Sequence, residues 1–296
     1  MVGKYTYGII ANWQLDGAND AVKECARLLE RKGLAFVLEK ATARHVGAGT
    51  DGVPPETFGA ECDVVISFGG DGSLLHVGRL VTPYEKPILA VKLGGLGFLS
   101  ELSYDLLGQA IKTIEAGDYA VESRMTLEAR VEKPIGDPTT GLIAVNDFVM
   151  GPKDISRIVE VQAWVEDHHI FTYRGDGLIC GTPTGSTAYS MSAGGPIVDP
   201  RIDLLLLTPI CAHSLTVRPL ILPPDLEIRV KLDAHGDRDF QLTVDGQTAY
   251  TITKEDVCCF TRAKSRLQLI RLEELNFYGL ISEKLNWGRG PLTRKR

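Results

Sequence analysis

Residues 63–73 read Asp-Val-Val-Ile-Ser-Phe-Gly-Gly-Asp-Gly-Ser. The first six, Asp63 to Phe68, make a short apolar run of the kind found in strands covered on both faces. They lead directly into Gly69-Gly70-Asp71-Gly72, and Ser73 to Leu80 has helical spacing. Strand, Gly-rich turn and helix in succession set the pattern for the first 120 residues. Tyr7 to Ala11 reads as a strand. Ala21, Val22, Cys25, Leu28 and Leu29 mark one face of a helix that Gly33 ends. Ala35 to Leu38 and Ile88 to Val91 are further strands, the latter running into Leu93-Gly94-Gly95-Leu96-Gly97-Phe98. Tyr104 to Ala116 reads as a helix closed by Gly117. Thr42 to Pro55, with Gly, Pro and weak periodicity, reads as a loop. Alternating strands and helices predict an α/β domain with a parallel sheet.

After about residue 120 the period becomes two. Val159, Val161, Ala163 and Val165 alternate with Glu160, Gln162 and Trp164, and the same holds for Leu226 to Asp233 and Phe240 to Val244. Each is a strand with one wet face, so the second half is expected to be mostly antiparallel sheet. The expected division is an α/β nucleotide-binding domain over 1–120, a β-rich domain over 121–270, and a short terminal segment over 271–296 ending in a basic tail. A length of 296 residues suits two such domains.

Composition excludes several function classes. Asp and Glu total 38 against 32 Lys and Arg, a formal charge of −6, so the chain has no global attraction for nucleic acid or an anionic membrane. No apolar run approaches the ~20 residues of a membrane span. The first residues make a poor secretory signal, which points to the cytoplasm. The six cysteines form no C-x-x-C pair and read as buried thiols, with Cys258 and Cys259 facing opposite sides of a strand.

Three stretches can carry chemistry. In Gly69-Gly70-Asp71-Gly72-Ser73, glycine amides and a helix N-terminus suit a phosphate, while the single carboxylate suggests a proton acceptor or a Mg2+ ligand. His76, on the following helix, could face that phosphate. No Gly-Lys-Ser/Thr exists, so this is not a Walker loop. Arg174 to Gly195 concentrates glycines and Ser/Thr hydroxyls and reads as a neutral, donor-rich surface for a dinucleotide's riboses and phosphates rather than a long polar loop without function. Within it Arg174 can pair with a phosphate, Asp176 can accept from hydroxyls, and Tyr189 can stack on a base. Asn146-Asp147 could bind ribose hydroxyls or serve as a turn. Gln247 follows Asp245-Gly246, which is an ordinary hairpin turn by default. His168-His169, beside Glu166-Asp167, reads as a solvated hairpin tip, and His213 and His235 lack partners at ligand spacing.

Taken together the sequence resembles the NAD kinases. The resemblance rests on Gly69-Gly70-Asp71-Gly72, Asn146-Asp147, Asp176-Gly177, Thr182-Pro183-Thr184-Gly185-Ser186-Thr187-Ala188-Tyr189, Ala193-Gly194-Gly195-Pro196, and His213-Ser214-Leu215 leading to Arg218-Pro219-Leu220. It runs from the opening strand to Leu285-Asn286-Trp287-Gly288. It implies an active site between an α/β and a β-rich domain, at the interface of a homodimer or homotetramer. It also implies phosphorylation of the adenosine 2′-hydroxyl of NAD, with ATP or polyphosphate as donor and a divalent metal, Mg2+, whose ligands stay unassigned. Asp71 would be the general base. Gly72, Phe98, Asn146, Asp147, Arg174, Asp176, Thr187, Ala188, Tyr189, Ser190, Met191, Ser192 and Gln247 would line the NAD site, with Phe98 against the adenine. Gly69, Gly70, Gly72, Ser73 and His76 would face the phosphates. Two positions depart from the family: Asp147 replaces the usual Glu and Ser73 the common Thr, and neither change removes a functional group. A diacylglycerol-type lipid kinase sharing the Gly-Gly-Asp-Gly domain, and a non-catalytic NAD(H) sensor, are the rival readings.

Overall fold

The structure is a computed structural model that describes residues 4–47, 49, 51–94, 97–99, 102–153, 158–234, 239–272 and 277–287. Gly95, Leu96, His235, Gly288 and the basic tail over 289–296 lie outside the described residues.

The first sheet has its strands in the order Phe36–Leu38, Tyr7–Ala11, Val64–Gly69, Ile88–Lys92, Leu267–Arg271 and Ala120–Arg124, with Leu102–Ser103 pairing beside Ile88–Lys92. All pairs are parallel except the last, in which Ala120–Arg124 runs antiparallel to Leu267–Arg271. The chain therefore leaves this sheet at Arg124 and returns to it at Leu267. Alternate residues explain the two covered faces. Tyr7, Ile9, Val64, Ile66 and Phe68 pack on the helices Ala18–Arg31 and Leu107–Ala116. Ile10, Val65, Ile88 and Ala90 pack on the helix Asp71–Val81, which contributes Leu74, Leu75, Val77 and Val81.

The second domain is a sandwich of two antiparallel six-stranded sheets. One contains the strands Leu127–Glu132, Val159–Val165, Ile228–Asp233 and Val257–Arg262, the other Asp147–Pro152, Gly177–Gly181, Leu205–Ile210 and Phe240–Val244. Their inward residues, among them Phe148, Met150, Val161, Leu207, Val230, Leu242 and Phe260, form one core. Cys258 joins it, while Cys259 is buried on the opposite face of the strand.

One sequence expectation is corrected. Thr42 to Pro55 is not one loop, because Lys40–Val46 and Pro55–Phe58 are helical. The reason is a side-chain cap that periodicity does not show. Glu39, 5% exposed, accepts hydrogen bonds from the amides of Ala41 and Thr42 and from the Thr42 hydroxyl. The Thr42 hydroxyl in turn accepts from the Ala11 amide, which ties this short helix to the first strand. Arg174 to Gly195 is likewise not a long loop. Gly177–Gly181 is a fully buried central strand, followed by a tight turn at Thr184–Thr187 and a short helix at Tyr189–Ser192.

Candidate active site

Val64–Gly69 and its neighbour Ile88–Lys92 end on the same edge of the parallel sheet, where ligands bind in open α/β folds. Gly70 opens the helix Asp71–Val81 without any side-chain cap. Asp71 instead turns toward the segment after the neighbouring strand. Its Oδ2 accepts from the Phe98 amide at 2.7 Å and its Oδ1 from the Leu99 amide at 3.0 Å. A Cβ at Gly97 would collide with this carboxylate, so the approach depends on glycine there. The two amides fix the orientation of the Asp71 carboxylate at the open end of the sheet.

Asn146-Asp147 is held against the same loop by a residue that sequence reading treated only as a turn former. Asp245 and Gly246 do make the expected hairpin turn, but the Asp245 side chain is buried. It accepts from the amides of Val145 (3.1 Å), Asn146 (2.7 Å) and Asp147 (3.2 Å) and pairs with Arg79 at 2.9 Å. Arg79 also donates to the Gln247 side-chain oxygen (2.8 Å), and the Gln247 amide donates to the Gly72 carbonyl (2.6 Å). Asp245, Arg79 and Gln247 thus lock the β-rich domain to the Gly-Gly-Asp-Gly loop. The only trace of this in the sequence is an Asp at an ordinary turn position, with its partner 166 residues away.

Asp147 is 4% exposed, and among the described residues its carboxylate makes no hydrogen bond. Burial, and then the nearby charge of Asp245, push its pKa up to about 7.

The Thr182–Gly195 hydroxyls mostly serve the protein itself. Thr182 donates from its hydroxyl to the Val145 carbonyl and from its amide to the Asn146 carbonyl. Gly185 lies so close to the Asn146 backbone that a Cβ there would overlap it. The Ser186 hydroxyl exchanges hydrogen bonds with the Val198 backbone, and the Ser190 hydroxyl bonds that of Thr208 at 2.8 Å. Ser186 and Ser190 are fully buried. Thr187, Ala188 and Met191 are half-buried, whereas Ser192 and Tyr189 are exposed. These turns are wrapped over the Asn146 backbone through Thr182 and Gly185.

Arg174 and Asp176 are not brought to this place. Gly181 pairs with Asp147 in the sheet, whereas Asp176 lies beside Gly151, four residues further along the same strand. At ~3.4 Å per residue that is a separation of about 14 Å. Both side chains are exposed there. Phe98 is half-buried, and the Lys284 ammonium sits 4.4 Å from its ring centre.

On the other side of the Gly loop is a cavity of about 730 Å³. Gly70, Gly72, Ser73, His76 and Gln247 line it together with Asn12, Trp13 and Gln14; among the described residues Asp71, Phe98, Asn146 and Asp147 do not. His76 opens onto this space, and its pKa is lowered by desolvation and then by Arg79. Among the described residues no three His, Cys, Asp or Glu side chains converge as metal ligands.

Comparison with known proteins places this geometry in a family. Residues 7–119 match the ATP-NAD kinase N-terminal domain and residues 145–272 the ATP-NAD kinase C-terminal domain. An NAD kinase of Moorella thermoacetica is 38% identical over 281 residues, covering 95% of this chain and 89% of that one. A yeast NADH kinase crystallised with NADH superimposes with a TM-score of 0.88 at 24% identity, over 99% of this chain and 91% of that one. An Archaeoglobus fulgidus NAD kinase crystallised with ATP gives a TM-score of 0.73 at 22% identity, over 96% of this chain and 100% of that one.

Proposed function

This chain belongs to the NAD kinase family, and from that premise we propose that it transfers the γ-phosphoryl group of ATP to the 2′-hydroxyl of the adenosine ribose of NAD. The observation that carries the reading is Asp71, a carboxylate oriented by two amides beside a glycine turn that opens a helix. A ribose hydroxyl is a poor nucleophile until a base takes its proton. As the 2′-oxygen forms its bond to the γ-phosphorus, its proton passes to Asp71. The bond from that phosphorus to the β–γ bridging oxygen breaks, and ADP leaves as the magnesium complex in which the donor arrived. Amides of the Gly loop and the N-terminal end of the helix stabilise the charge of the transferred group.

Asp147 supports the acceptor assignment. A buried carboxylate without a hydrogen-bond donor is costly, and two ribose hydroxyls would satisfy it. Asn146 would present its amide to the adenine, with Phe98 and Tyr189 supplying aromatic faces. Ser190 drops out of the contact set, since its hydroxyl is committed to Thr208. Arg174 and Asp176, about 14 Å along the strand from Asp147, reach the same NAD only when contributed by a second copy of the chain. We therefore propose a homo-oligomer with composite sites. Its cysteines are free thiols, which suit the reducing cytoplasm.

The test is incubation with ATP, Mg2+ and NAD, with NADP measured by an NADP-specific dehydrogenase. NADP formation dependent on ATP supports the reading. Phosphorylation of diacylglycerol instead, or NAD binding without turnover, would establish one of the rivals.

A further inference from the structure

The cavity behind the Gly loop carries an aromatic feature that the acceptor chemistry does not use. Trp13 lines it and is 44% exposed, although one face of its indole is covered by His45. The two rings are 4.1 Å apart and 8° from parallel. The pair is held from several directions. His45 Nδ1 donates to the Ala41 carbonyl at 2.8 Å. Ala41 and His45 belong to the helix that buried Glu39 caps and that Thr42 ties to the first strand. On the other side, Asn12 and Leu15 close the turn that carries Trp13: the Asn12 amide donates to the Phe68 carbonyl at 3.0 Å, and the Leu15 amide to the Asn12 carbonyl at 3.1 Å. The indole is thus an aromatic plane pre-set in the lining of a cavity that Gly70, Gly72 and Ser73 also line. A flat apolar group and a helix-opening glycine turn in one cavity suit a molecule with a planar base at one end and phosphates at the other. A volume of about 730 Å³ accommodates a nucleoside triphosphate.

We infer that Trp13, stacked on His45, is the platform for the purine of the phosphoryl donor, so that this chain selects a nucleoside triphosphate over inorganic polyphosphate. The inference rests on the kinase reading for the identity of the reaction and on the cavity for the site itself. It puts the two substrates on opposite sides of the Gly loop. The acceptor is on the side of Asp71 and Phe98, and the donor base is on the side of Trp13. A polyphosphate chain has no base to stack and gains nothing from the indole.

The test is calorimetric titration of Mg-ATP and of magnesium triphosphate into wild type, Trp13→Ala and Trp13→Phe, which needs no turnover. Wild type should bind ATP at least tenfold more tightly than inorganic triphosphate. Trp13→Ala should lose about tenfold in ATP affinity, the order expected for one base–aromatic stack, and keep its triphosphate affinity. Trp13→Phe, which keeps a π face, should fall within about threefold of wild type. The NAD affinity of all three should agree, which separates a donor platform from a general packing role. Equal losses for ATP and triphosphate, no loss for either, or no preference for ATP in wild type would overturn the platform. Failure of wild type to make NADP while these titrations behave as stated would instead count against the kinase reading.

Discussion

In the Gly69–Ser73 turn the one charged side chain is oriented by the backbone amides of Phe98 and Leu99. In Thr182–Gly195 the hydroxyls of Thr182, Ser186 and Ser190 are spent on the protein's own Val145, Val198 and Thr208. Both stretches are rich in Gly and short polar residues, and both sit at the junction of the domains. What separates them is where the polar groups find partners. A strand end at the open edge of a parallel sheet is where such folds bind ligands, whereas a turn leaving a buried central strand must satisfy its own groups. The first region is the one we propose for the chemistry, and the second builds the wall on which Asn146 and Asp147 are mounted.

The largest expected effect lies in the first region. Asp71→Asn keeps the shape and the oxygen that accepts one amide but cannot take a proton, so kcat should fall by ~10²–10⁴ while the NAD dissociation constant changes little. Steady-state kinetics with calorimetry checks this, and near-native turnover would remove Asp71 from the role of base. In the second region the corresponding substitution acts on stability. Gly185→Ala pushes a methyl into the Asn146 backbone and should cost about 3 kcal/mol in denaturant unfolding, or prevent folding. If it were neutral, the wall would be more compliant than the packing implies.

Asp147 joins the two regions and adds a pH dependence. Its pKa is raised from the ordinary 3.8 to about 7 by burial and by Asp245. Between those values the folded chain keeps a proton that the unfolded chain releases, so this group lowers stability as pH rises through that window, and the penalty is complete above about pH 7. Asp147→Asn should therefore gain on the order of 2–4 kcal/mol over wild type between pH 4 and pH 8. Binding of ribose hydroxyls favours the ionised carboxylate, so KM for NAD in wild type should fall from pH 6 to pH 8, a dependence Asp147→Asn should lack. Asp147→Glu, the commoner family residue, should be mild in activity, and Asp147→Ala severe. The smallest effects come from a neighbouring pair. Ser190→Ala should lose about 1 kcal/mol of stability with unchanged NAD affinity, because its hydroxyl bonds Thr208. Tyr189→Ala, one residue earlier and exposed, should raise KM for NAD with little change in stability. Reversal of that pair would erase the distinction between wall and ligand face.

Local pattern carried most of the fold. Asp63 to Phe68 shows its burial in composition, Gly69 to Gly72 shows the turn, and period-two runs such as Phe240 to Val244 show their wet face. Three features were not legible for physical reasons. The helix Lys40–Val46 depends on a Glu cap that is uncommon at helix starts. The Arg79–Asp245–Gln247 lock depends on side chains far apart in sequence that meet only once two domains close. The inward commitment of Ser186 and Ser190 depends on Val198 and Thr208, and no spacing rule relates them. The Trp13–His45 stack is not legible for the same reason, its members being 32 residues apart and brought together only by the fold.

The central claim is that Asp71 and the Asn146-Asp147 pair together present the adenosine 2′-oxygen, and no other hydroxyl, to the donor phosphorus. Phosphorus NMR of the product made from ATP and NAD tests it most directly, with 2′-deoxyadenosine NAD run in parallel. The account predicts a single 2′-phosphomonoester and no turnover of the deoxy analogue. A 3′-phosphate, or phosphorylation of the analogue, would contradict it.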